Sequence, residues 1–77
     1  MSADEALAAC RARGLVVRAR TALPEHPGGT RWRLSLPGRS GTLDLNAWQG
    51  RVWLSLVSAR AGSWAETVAG ELSPGRT

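Results

Sequence analysis

Five arginines, Arg18, Arg20, Arg31, Arg33 and Arg51, fall within stretches of alternating polarity, with Trp48 and Trp53 among them. A guanidinium is planar, permanently charged and shaped to fit the two oxygens of a phosphate or carboxylate. An indole adds a flat face on which a base can stack. Side chains at alternate positions leave a strand on the same side, so these residues are expected to share one face of a sheet. Such a face suits a nucleic-acid strand, with guanidinium groups on phosphates and indoles under bases. It also suits a protein partner or a second copy of the chain, because tryptophan and arginine dominate interface hot spots. A third arrangement is a solvated face, in which arginine stems lie over the indoles with contacts such as Trp48–Arg51.

Other reactive residue types are sparse. The chain has one cysteine, Cys10, and one histidine, His26, with neither lysine nor tyrosine. No histidine lies near Cys10 in sequence, so a small buried core residue is expected there rather than a nucleophile. A lone cysteine also allows no internal disulfide and no thiol pair for a metal. His26, between Glu25 and Pro27, is expected to be a solvated loop residue with no second ligand beside it. Asp44 is the single acid on the arginine face and lacks a second carboxylate for paired acid–base work. Gly28-Gly29 leads into a strand rather than a helix, unlike a phosphate-binding loop. The expectation is a non-enzymatic binding domain with no cofactor, no metal and no small-molecule substrate.

Ten basic residues against six acids give a net charge of +4, which favours polyanionic partners. All ten are arginine, and abundant alanine, glycine and arginine is also what a high-GC genome imposes. Placement therefore carries more weight than number. No run reaches the ~20 apolar residues of a membrane span. The N-terminus is acidic before it is apolar, the reverse of a secretory signal, and with the lone cysteine this points to the cytoplasm.

The elements that would position these residues follow from periodicity. Residues 3–13 read as a helix, with Ser2 and Glu5 as a capping box, Asp4 and Glu5 at its positive end, and Gly14 as its stop. A first strand spans 15–23, placing Val17 and Ala19 on one side and Arg18 and Arg20 on the other. Two hairpins follow from Thr30 to Val57. A turn at Gln49-Gly50 pairs Ala47 with Val52, Leu45 with Leu54 and Leu43 with Leu56. A four-residue loop from Gly38 to Gly41 would pair Leu36 with Leu43, Leu34 with Leu45 and Trp32 with Ala47. Pairing Leu23 with Thr30 would set Arg20 against Arg33, a like-charge contact that costs stability. The same registers set Arg33 against Asn46 and put Trp48 between Arg31 and Arg51. After a connection at Ala59–Gly62, a second capping box at Ser63 and Glu66 opens a helix with an apolar stripe of Trp64, Val68 and Leu72.

The predicted fold is α+β: a four-stranded antiparallel meander with N- and C-terminal helices packed on one face, in the order α-β-β-β-β-α. It forms a single domain over residues 1–77, with 1–2 and 73–77 frayed. The predicted core comprises Leu7, Cys10, Val17, Ala19, Leu34, Leu36, Leu43, Leu45, Val52, Leu54, Leu56, Trp64, Val68 and Leu72, with Trp32 at its margin. The candidate nucleic-acid or partner-binding residues are Arg18, Arg20, Arg31, Arg33, Trp48, Arg51 and Trp53.

Overall fold

Helix α1 spans Ala3–Ala12 in the computed structural model, which describes residues 2–57 and 63–72. Its start is set by the capping box: the Ser2 hydroxyl accepts from Glu5 N at 3.1 Å, and Glu5 Oε1 accepts from Ser2 N at 2.9 Å. Its end is a Schellman turn, with Gly14 N donating to Arg11 O and Leu15 N to Cys10 O. Gly14 sits at φ +85°, a conformation that glycine adopts without steric cost.

Four strands follow: β1 Val16–Ala22, β2 Thr30–Ser35, β3 Leu43–Trp48 and β4 Arg51–Leu56. They form one antiparallel sheet in sequential order, and α2 closes the chain at Trp64–Leu72. The order is α-β-β-β-β-α, the predicted α+β fold. Ser63 caps α2 by accepting from Glu66 N at 3.4 Å. Met1, the connection at 59–62 and the tail 73–77, expected to fray, lie outside the described residues.

One face of the sheet is apolar and carries both helices. Leu34, Leu43 and Leu45 are fully buried against Ala6, Leu7 and Cys10 of α1 and Ala65, Val68 and Leu72 of α2. Arg13 Nε joins the helices through Glu71 Oε1 at 3.0 Å, a pair exposed enough to add well under ~1 kcal/mol. The β3–β4 register is the expected one, with Ala47 opposite Val52, Leu45 opposite Leu54 and Leu43 opposite Leu56. Its two-residue turn is type I′, with Gln49 at φ 47° and Gly50 at φ 77°.

The other two registers differ from expectation. Leu34, not Leu36, pairs with Leu43, and Trp32 pairs with Leu45. The tight turn is Leu36–Arg39, where Arg39 N donates to Leu36 O and Gly38 has φ +82°. Pro37 then Gly38 is the sequence a type II turn demands. The chain runs on from there through Ser40, whose carbonyl accepts the Trp64 indole N–H at 2.7 Å, before β3 begins. A slip of two preserves side-chain phase, so each β2 and β3 residue stays on its expected face.

Strand β1 does change phase. Ala22 pairs with Thr30 and Arg20 with Trp32, but Val17 pairs with Leu34, with the register shifting between Val17 and Ala19. Arg18 is the extra residue of a bulge, and beyond a bulge every side chain is re-aimed. Ala19, expected in the core, is exposed on the opposite side. Leu56, also expected in the core, is 46% exposed at the outer strand, while Leu15 and Leu23 are buried at 3% each.

Candidate nucleic-acid interface

The face away from the helices carries Arg31, Arg33 and Ser35 from β2, Asp44, Asn46 and Trp48 from β3, and Arg51, Trp53 and Ser55 from β4. The two-residue slip of β2 decides its electrostatics. Arg33 stands opposite Asp44 instead of Asn46, and Arg31 opposite Asn46. Arg33 Nε donates to Asp44 Oδ1 at 3.0 Å and Nη2 to Oδ2 at 3.1 Å, a bidentate pair. Arg31 Nε donates to Asn46 Oδ1 at 2.9 Å and lies 3.6 Å from Asp44 Oδ2. Asn46 Nδ2 in turn donates to Ser55 Oγ at 3.0 Å and to Trp53 O at 3.3 Å.

These bonds explain why Asp44 is 2% exposed and Asn46 fully buried on a face with no helix over it. Arg31 and Arg33 reach across the sheet and close over them. The face predicted to be open is roofed by its own side chains. Among the described residues no buried side-chain nitrogen or oxygen lacks a partner. The Asp44 carboxylate, by hydrogen bond and then by attraction, raises the Arg33 guanidinium above its ordinary range.

Arg18 joins this set through the bulge. Its Nε donates to Ser35 Oγ at 2.7 Å. Arg31 and Arg33 of β2, with Arg18 of β1 anchored at Ser35 two residues beyond Arg33, are therefore each tethered through Nε to an acceptor on the sheet. Among the described residues, Nη1 of Arg33 and both terminal nitrogens of Arg18 and Arg31 have no hydrogen-bond partner. The result is a ridge of oriented guanidinium groups with outer N–H forks available to an anion.

Arg20 is not part of it. Opposite Trp32, it lies on the helix side of the sheet with its guanidinium carbon 5.9 Å from the Trp32 ring centroid. The bulge at Val17–Ala19 is the cause. Four arginines and one acid share the face, and the predicted like-charge contact of Arg20 with Arg33 does not form. Among the described residues the cation–π contact is this one, and the Trp48–Arg51 contact of the solvated-face reading is not formed.

The two indoles are also placed differently than expected. Trp48 is opposite Arg51, but its β2 side is the loop preceding Thr30, with Arg31 two pairs further along opposite Asn46. The loop of residues 23–29 folds over this end. The Trp48 indole N–H donates to Pro27 O at 3.1 Å. His26, expected to be solvated, is half-buried, with its ring 4.3 Å from Trp48 at 30° and 5.8 Å from Trp53 edge-on at 86°. The loop is closed by Gly29 N to His26 O at 2.8 Å and Leu23 N to Gly29 O at 3.2 Å. No periodic signal marks this contact; the only hint was a proline- and glycine-bounded loop short enough to fold back. Trp48 and Arg51 also line a cleft of about 490 Å³ with Gly28, Thr30 and Gln49.

Cys10 is fully buried, and burial pushes its thiol up, so it has neither the access nor the thiolate character of a nucleophile. Among the described residues, no three histidine, cysteine or acidic side chains gather as a metal site, and no helix is long and apolar enough to cross a membrane. Comparison with known proteins finds no matching family model, no matching curated protein and no matching solved structure.

Proposed function

We propose that the chain binds the phosphate backbone of a single-stranded nucleic acid along the ridge Arg31–Arg33–Arg18, with Arg51, Trp48 and Trp53 at one end. The observation that supports this reading is the common tether: all three guanidinium groups are held at Nε while terminal nitrogens remain unpaired among the described residues. A tethered arginine loses less side-chain freedom on meeting an anion, so more of the contact energy reaches affinity. Asp44 offsets part of the charge but leaves the face net positive, and it fixes the direction in which Arg33 points.

Tryptophan fluorescence titrated with mixed oligonucleotides tests the reading. Three phosphate contacts imply a slope of log K against log salt of about −2, and a fourth through Arg51 brings it near −3, at ~0.7 per contact. Arg18→Ala should flatten the slope by one contact and leave the fold intact, because Arg18 is exposed and, among the described residues, bonded only to Ser35. Absence of binding at low salt, or a flat salt dependence, refutes it. An acidic protein partner is the second reading, favoured by His26 on Trp48, which leaves the guanidinium groups more available than the indoles. Binding to a polyglutamate peptide with no binding to oligonucleotides would select it.

A further inference from the structure

The sheet has two edges, and they are unlike. The β1 edge carries Arg18 and Arg20 and is bent by the bulge between Val17 and Ala19. Charge and bulges are the devices by which edge strands avoid pairing with other chains. The β4 edge has no bulge, and no charge beyond Arg51 at its start. From Val52 to Val57 it reads Val-Trp-Leu-Ser-Leu-Val, with no charge, no proline and no glycine. Leu56 is 46% exposed and Val57 50%, the large exposed apolar residues among those described.

The backbone direction on this edge follows from its hairpin. The two-residue turn makes Trp48 and Arg51 a hydrogen-bonded pair, and at the far end Val57 N donates to Thr42 O at 3.5 Å. Pairs alternate along an antiparallel ladder, so residues 51, 53, 55 and 57 bond inward to β3. Val52, Leu54 and Leu56 then turn their N–H and C=O groups outward.

We propose that β4 pairs antiparallel with β4 of a second copy of this chain, about a two-fold axis at Leu54, so that the two sheets become one of eight strands. This register is self-complementary. Leu54 faces Leu54, and Val52 faces Leu56 of the other copy, on the side where the helices pack. Trp53 faces Ser55, and Arg51 faces Val57, on the guanidinium side. The outward groups of Val52, Leu54 and Leu56 meet as hydrogen-bonded pairs. Charge selects the same arrangement. Two chains of net charge +4 repel, yet here the contact strand is uncharged beyond Arg51. The two Arg51 side chains stand six residues apart along the ladder, about 20 Å at ~3.3 Å per residue, beyond the screening length at physiological salt. Both guanidinium ridges then share one continuous face.

Sedimentation or light scattering of the full chain tests this: the expected mass is twice 8.2 kDa. Leu56→Pro removes one outward N–H while leaving the bonds to β3 untouched, a position where an edge strand tolerates proline. It should weaken the dimer about tenfold or more with the far-UV spectrum preserved. Leu56→Lys, a charge on a side chain already half exposed, should do the same without altering backbone geometry. Leu54→Cys should cross-link to itself on mild oxidation, because directly opposed hydrogen-bonded residues lie about 5.5 Å apart at Cα, within disulfide reach. Cys10 is buried and does not compete. A mass of 8.2 kDa at all concentrations overturns the proposal. So does a dimer that survives both Leu56 variants, or one in which Leu54→Cys fails to cross-link.

Discussion

Asn46→Ala is expected to be far more damaging than its position on a helix-free sheet face suggests. The side chain is fully buried and satisfies three groups: Arg31 Nε at 2.9 Å, Ser55 Oγ at 3.0 Å and Trp53 O at 3.3 Å. The bond to Arg31 is charge-assisted, a kind worth about 1.5–3 kcal/mol. Asp44 Oδ2, already 3.6 Å from Arg31 Nε, can take over part of it. The other two contribute about 0.5–1.5 kcal/mol each, and the vacated volume adds a cavity cost. A loss of about 2–4 kcal/mol follows. A chain of 77 residues has about 4–12 kcal/mol in total, so the variant sits near the limit of folding. The midpoint of thermal unfolding should fall by about 10–25 °C. Urea unfolding followed by tryptophan fluorescence, with an unchanged denaturant slope, measures the loss directly. Ser55→Ala removes one bond of the three and is the internal control, with an expected cost near 1 kcal/mol or less. If Asn46→Ala unfolds within ~0.5 kcal/mol of the wild type, or if Ser55→Ala costs as much, the network is not what roofs this face.

The loop over Trp48 makes a second prediction. A Cβ on Gly29 would lie 2.7 Å from Leu23 Cδ1, 3.0 Å from His26 O and 3.1 Å from Ala47 O, so Gly29→Ala should cost about 1–3 kcal/mol and expose Trp48 to solvent, read as a red shift in emission. A third concerns pH. Hydrogen bonding with Ser2 holds the Glu5 carboxyl below its ordinary range, so its folded pKa lies under its unfolded one. Its stabilisation is complete above the ordinary carboxylate range and fades as pH falls through the lower folded value. Glu5→Gln should remove that part of the acid dependence while leaving stability near neutral pH only slightly changed, which a series of thermal melts between acid and neutral pH will show.

Much of the fold was legible because its signals are local. The alternation from Thr30 to Leu36 and from Thr42 to Val57, the Gln49-Gly50 turn, the Ser2–Glu5 box and Gly14 each specify their element from a few neighbouring residues. The face of every β2, β3 and β4 residue followed from parity alone. Of the candidate site, Arg18, Arg31, Arg33, Trp48, Arg51 and Trp53 share the face that the alternation assigned to them.

Parity does not determine register, and register chose the partners. Whether Arg33 meets Asn46 or Asp44 depends on a two-residue slip that leaves the apolar pattern unchanged. The slip exchanges a neutral contact for a bidentate ion pair, and the Pro37-Gly38 turn and the Trp64–Ser40 bond accommodate it. Arg20 left the face because a bulge at Arg18 reversed the phase of β1, and His26 reached the indoles because the loop folded back over β3. Each of these outcomes balances contacts between residues 11 to 27 apart in the chain. Side-chain alternation is set by backbone geometry one residue at a time, so it can be read from sequence. Cross-strand pairing is a competition among whole registers, and only the assembled sheet resolves it.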